Sequence, residues 1–193
     1  MTTILKQQRL RIRCALQNGP GAGWGWGDCG IAGVTSLVQT LINPSITVDN
    51  VGQAAGFMRG YTSASLAGVR HAAALFGIRL EPRSGLTAEQ IGAELDAHRS
   101  VLVLVHYPLL PKRRLASYTG GHFITVHGYE VTPEGTWFYY DDPEWLRQSD
   151  AEDIRISAVQ LRRAMGSTGN HARYPGNGLL LRSHKLPSAR LAA

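Results

Sequence analysis

Residues 120–142 constrain the fold more than any other stretch. Gly120-Gly121-His122-Phe123-Ile124-Thr125-Val126-His127-Gly128-Tyr129 reads as a strand, and Thr136-Trp137-Phe138-Tyr139-Tyr140 as a second one, rich in aromatic residues. Between them Thr132-Pro133-Glu134-Gly135 supplies the chemistry of a tight turn. Strands joined this way run antiparallel, so the start of the first lies beside the end of the second. His122 opens the first strand and Asp141-Asp142-Pro143 closes the second. His122 and one of the two aspartates are therefore expected as neighbours, a carboxylate beside an imidazole. Successive strand residues face opposite ways, so only one aspartate can point at His122, and the spacing leaves both open.

A second constraint lies upstream, in Gly23-Trp24-Gly25-Trp26-Gly27-Asp28-Cys29-Gly30-Ile31-Ala32. From Gly30 to Ile42, apolar residues recur at Ile31, Val34, Leu37, Val38, Leu41 and Ile42, which is helix spacing, and Pro44 stops the helix. Asp28 suits the N-cap. Cys29 then sits in the first turn, where the positive end of the macrodipole stabilises a negatively charged sulfur. A thiol so placed, an imidazole and a carboxylate are the parts of a nucleophilic site. Spacing alone does not bring Cys29 to His122. The plainer alternatives are an inert buried thiol, a disulfide with Cys14, and a satisfied core histidine.

The rest of the chain reads as helices first and sheet second. Arg9 to Leu16 is expected as a strand. Helices are expected from Val48 to Arg59 behind Thr47, and from Ser65 to Phe76 before Gly77. A further helix starts at the capping box Thr87-Ala88-Glu89-Gln90 and ends near His98. Val101 to Tyr107 is a continuous apolar run of strand length and reads as a central strand. Ser157 to Met165 is a last helix with a second capping box, and Leu179 to Arg182 is expected to close the sheet. Helices followed by a hairpin-built sheet predict an α+β fold. The expected organisation is one domain over 1–185 and a disordered tail over 186–193.

Composition narrows the partners. The chain has 193 residues, 44% of them hydrophobic, enough for a sizeable core. Its formal net charge of +6 favours anionic partners, but the basic residues are scattered, and solvated faces explain them better than a nucleic-acid site. No apolar run is long enough to span a membrane, and the basic N-terminus lacks the apolar region of a signal peptide, so a cytoplasmic protein without membrane insertion is expected. No histidine has metal-ligand spacing, and neither HExxH nor CxxC occurs, so no metal is expected. His127 lies five residues along the strand from His122 and reads as structural.

The order Asp-Cys-Gly-Ile-Ala at a helix start, then Gly-Gly-His-Phe-Ile-Thr-Val-His-Gly-Tyr, then Tyr-Tyr-Asp-Asp-Pro, resembles papain-like cysteine peptidases. More narrowly it resembles the bacteriocin-processing peptidases that cleave after a double-glycine leader, and their free-standing relatives. The resemblance implies a papain-like α+β fold, with an N-terminal helical part carrying the cysteine packed on an antiparallel sheet carrying His and Asp. It implies Cys29 as nucleophile, His122 as general base and Asp142, directly before proline, as orienting residue, with no cofactor. It also implies a glutamine shortly before the cysteine as oxyanion donor. Gly23 stands at that position, and Gln17, or Asn18, takes the role if the intervening residues are an inserted loop. Trp24 and Trp26 then either border the substrate cleft or pack beneath the loop. The expected activity is hydrolysis of a peptide or amide bond. The alternatives are a peptidoglycan cross-link hydrolase from a phage or bacterium, acyl transfer to an amine, and a catalytically inactive binding domain.

Overall fold

The computed structural model describes residues 3–19, 29–57, 65–166 and 176–186. Among them the helices are α1 (Cys29–Leu41), α2 (Val48–Ala54), α3 (Leu66–Leu75), α4 (Ala88–Asp96), α5 (Gln148–Ala151) and α6 (Ala158–Met165). The strands are β1 (Lys6–Arg9), β2 (Leu80–Arg83), β3 (Val101–His106), β4 (Gly121–Thr132), β5 (Gly135–Asp141), β6 (Ile154–Ser157) and β7 (Gly178–Leu181). Every strand pairing is antiparallel, in the order β2-β7-β3-β4-β5-β6, with β1 also on β4. The architecture is therefore α+β, and its axis is the long strand β4.

The hairpin β4–β5 forms with Thr132 opposite Gly135. Its register slips between Val126 and Gly128, so His127 occupies a bulge. On the other edge of β4, β3 covers Gly121 to Val126 and β1 covers Gly128 to Val131. Because β3 already fills the lower part of that edge, the N-terminal strand ends at Arg9 rather than running on to Leu16. Residues 11–16 instead follow α1, with Arg13 N–H donating to Thr40 Oγ1 and Ala15 N–H to Ser36 Oγ, both at 2.9 Å. A second departure from expectation is α2, which ends at Ala54, ahead of Gly56 at φ 75°. A third is β7, which lies inside the sheet between β2 and β3 instead of closing it. The short β6 and α5 carry no periodicity long enough to be read from sequence.

Local signals set the other helices. Thr47, Thr87 and Ser157 each accept from a backbone N–H of the first turn and complete capping boxes with Asn50, Gln90 and Gln160. Helix α1 is buried from Gly30 to Val38. At Gly33 a Cβ would lie 2.7 Å from Leu102 Cδ2, so glycine lets α1 seat tightly on β3. This contact positions the cysteine end of the helix against the sheet. At the C-terminal end Leu186, assigned to the tail by sequence, is buried, and its N–H donates to His98 O at 2.8 Å. No helix among the described residues is long and apolar enough to cross a membrane.

Candidate active site

Three elements converge at the start of β4. Cys29 opens α1, His122 is the second residue of β4, and Asp142 directly follows β5. His122 Nε2 lies 2.7 Å from Asp142 Oδ1. A carboxylate only accepts, so Nε2 carries the proton and Nδ1 is the nitrogen left for the cysteine. The Cys29 sulfur accepts the backbone N–H of Phe123 at 3.4 Å, which ties it to the residue following His122. His122 is 2% exposed and Asp142 fully buried.

Burial by itself disfavours the imidazolium, yet the His122 pKa is raised, to about 10. The opposing causes are the charge of Asp142, the charge of Cys29, and hydrogen bonds to both. The arrangement can thus hold a proton on His122 next to the Cys29 sulfur. Tyr107 packs edge-on against the imidazole, with ring centroids 5.0 Å apart. Its hydroxyl accepts the N–H groups of Arg114 at 2.9 Å and Leu115 at 3.2 Å, which locks the ring. The Tyr118 hydroxyl donates to Gly121 O at 2.8 Å. Burial, and then the nearby Cys29 charge, push the Tyr118 pKa up to about 12, so it stays a neutral donor.

The two aspartates left open by spacing take different partners. Asp142 pairs with His122, and Asp141 lies 3.0 Å from His127 Nε2. Asp141 also accepts the N–H of Asp153 at 3.1 Å. His127 is buried, and its pKa is nevertheless raised, chiefly by the charge of Asp141 against the opposing effect of desolvation. The strand thus carries two histidine–carboxylate pairs, only one of which borders Cys29.

Gln17 is 1% exposed, and its position is fixed at both ends. Its backbone N–H donates to Pro143 O at 2.9 Å, and its side-chain Nε2 donates to the Glu144 carboxylate. One carboxamide proton of the expected oxyanion donor is therefore taken by a neighbouring carboxylate. Asn18 Nδ2 also reaches Glu144, at 3.3 Å to the backbone oxygen and 3.4 Å to Oε1. Gly23, Trp24, Trp26 and Asp28 lie outside the described residues. Cys14 and Cys29 are both free thiols; Cys14 is buried, and desolvation pushes its pKa far up.

Sequence reasoning passed over Glu144 and Arg114. Glu144 was hidden behind the aspartate pair, and Arg114 sits in a basic run read as solvated charge. Their ion pair is half-hidden, with side-chain exposures of 5% and 23%. The available signal was an acidic residue placed directly after Asp-Asp-Pro, in a chain turning back into the core.

No family model matches the sequence, and no curated protein aligns with it. Solved structures do resemble it in three dimensions. A double-glycine-motif protease from an AMS/PCAT transporter, in complex with the leader peptide, aligns at TM-score 0.53 and 14% identity, covering 95% of this chain and 99% of that one. A C39-like peptidase from Bacillus anthracis aligns at TM-score 0.56 and 14% identity, over 93% and 99%. UfSP from C. elegans aligns at 0.50 and 10%, over 96% of this chain and 35% of the other. At such identities the likeness is one of fold, and the fold of this chain is the papain-like one of these peptidases.

Proposed function

We propose that the chain is a cysteine peptidase, hydrolysing a peptide or amide bond through Cys29, His122 and Asp142 within a single domain over 1–185. The observation that carries this reading is the buried imidazole held at 2.7 Å by Asp142, with the Cys29 sulfur bound to the backbone N–H of the next residue, Phe123. In the reaction, the Cys29 thiolate attacks the scissile carbonyl carbon. The oxyanion forms against the Cys29 backbone N–H and the free carboxamide proton of Gln17. His122 gives its proton to the leaving amine as the C–N bond breaks. A water then loses its proton to His122, attacks the thioester, and releases the acid and the thiolate. Asp142 keeps Nε2 protonated and stabilises the imidazolium throughout.

A peptide substrate is favoured because a solved neighbour of the same fold holds a leader peptide. Whether that peptide bears a double glycine or is a peptidoglycan cross-link is read out by one comparison. Fluorogenic peptides carrying a Gly-Gly site and purified sacculi are incubated with wild type and with Cys29→Ala. Cleavage of the first, abolished by Cys29→Ala, supports leader-type processing, and release of wall fragments supports the cross-link reading. Iodoacetamide labelling of Cys29 no faster than that of a free thiol at neutral pH, with neither substrate cut, overturns the peptidase reading and leaves a binding domain.

A further inference from the structure

The buried carboxylate of Glu144 joins the two sides of the site. Gln17 Nε2 donates to it, Arg114 Nε donates to Oε1 at 3.1 Å and to the backbone oxygen at 2.8 Å, and a terminal guanidinium nitrogen of Arg114 completes an ion pair. Its own backbone N–H donates to Asp142 Oδ1 at 2.9 Å, the same oxygen that meets His122. Gln17 is held a second time through Pro143 O. One three-residue bracket, Asp142-Pro143-Glu144, thus contains the residue that orients the histidine and holds the Gln17 carboxamide proposed for the oxyanion.

We infer that Glu144 is a positioning residue that sets which face of the Gln17 carboxamide meets the developing oxyanion. The inference rests on the peptidase reading of Cys29, His122 and Asp142. A free carboxamide can present either its oxygen or its nitrogen, and only the nitrogen stabilises an oxyanion. A carboxylate accepts and never donates, so Glu144 pulls the amide nitrogen to its own side. The second N–H of the same nitrogen then points away from Glu144. With the carboxylate removed, the carboxamide can turn over and set its oxygen, a repulsive dipole, against the oxyanion. The bond from residue 144 to Asp142 is made by the main chain and not by the Glu144 carboxylate, so a side-chain substitution leaves its donor in place.

Two probes of Cys29 separate this role from a structural one. Iodoacetamide reacts by direct displacement at carbon and develops no oxyanion, so its rate reports the Cys29–His122–Asp142 set alone. p-Nitrophenyl acetate acylates through a tetrahedral oxyanion and reports the donor as well. An unfolded thiol also reacts with both probes, so the ratio is read only for variants whose circular dichroism and urea midpoint show a folded chain under the assay conditions. Both are measured for the full chain, with Cys29→Ala subtracted. Glu144→Gln, nearly the same shape, is expected to lower the ester-to-alkylation ratio by about 10-fold or more, as part of the loss that follows removal of one oxyanion donor. Glu144→Asp is expected to fall between, and carries the test if Glu144→Gln does not fold. The double variant with Gln17→Ala should be no worse than Gln17→Ala alone. An unchanged ratio in the Glu144 variants, additive losses in the double variant, or equal loss of both rates overturns the inference while leaving the peptidase reading intact. A wild type whose Cys29 reacts with both probes no faster than a free thiol at neutral pH overturns both.

Discussion

His122 meets Asp142 at 2.7 Å, while the adjacent Asp141 turns to His127 at 3.0 Å. Neighbouring residues at the end of one strand thus serve two different histidines on the next. Asp141 is the last residue of β5 and Asp142 the first beyond it, and their side chains leave the chain towards different histidines.

Neutralising each aspartate should therefore have a different outcome. Asp142→Asn is expected to lower Cys29-dependent turnover by about 10²–10⁴-fold, since an amide neither stabilises the imidazolium nor enforces its orientation. Asp141→Asn is expected to lower stability by about 1–3 kcal/mol, because it weakens the partner of a buried histidine and the bond to Asp153 N–H. Turnover assays and urea unfolding on both variants check the pair. Equal effects on activity would refute the division.

Stability should fall as pH rises. His122 and His127 both titrate above 6.5 in the fold, His122 at about 10, so between these values the native state holds more protons than the unfolded chain. Their contribution is fully present below pH 6.5 and is lost as pH passes through the folded values. Urea midpoints measured at pH 6, 8 and 10 should decrease in that order. His127→Gln should flatten the lower part of the slope, and a midpoint that climbs with pH in wild type would exclude this assignment.

Gly128→Ala should loosen the N-terminal strand. A Cβ there would lie 2.4 Å from Arg9 Cδ and 3.0 Å from Gln8 O, and Arg9 is already stacked on Tyr139 with its guanidinium carbon 3.1 Å from the ring centroid. Such overpacking costs about 1–3 kcal/mol. Amide hydrogen exchange should accelerate at Gln8 and Leu10 ahead of β3, and uniform protection across both strands would show that β1 yields without cost.

Tyr107→Phe should destabilise the wall behind His122. The hydroxyl is the acceptor for two backbone N–H groups, of Arg114 and Leu115, in a partly buried segment. Leaving a buried donor unsatisfied costs about 1–3 kcal/mol. Thermal unfolding measures it, and an unchanged midpoint would mean that water replaces the hydroxyl at no cost.

Much of the architecture was legible because its causes are local. The capping boxes at Thr87 and Ser157, the N-cap at Thr47 and the turn before Gly135 each depend on residues within a few positions, and each stands where the sequence indicates. The first strand was misread because its extent is set by competition: β3 occupies the β4 edge up to Val126, which leaves only Gly128 to Val131 for β1. The four residues of β6 depend on β5 as a partner and have too little pattern of their own.

By itself the sequence determined that a cysteine opens a buried helix and that a hairpin brings His122 beside an aspartate, since helix periodicity and antiparallel pairing are properties of short segments. Only the tertiary structure decided which aspartate meets His122, that Cys29 lies against Phe123, and that Glu144 binds Gln17 and Arg114 across 127 and 30 positions of chain. Those contacts depend on strand faces, on a bulge at His127 and on the seating of α1 against β3, none of which is encoded near the residues it brings together.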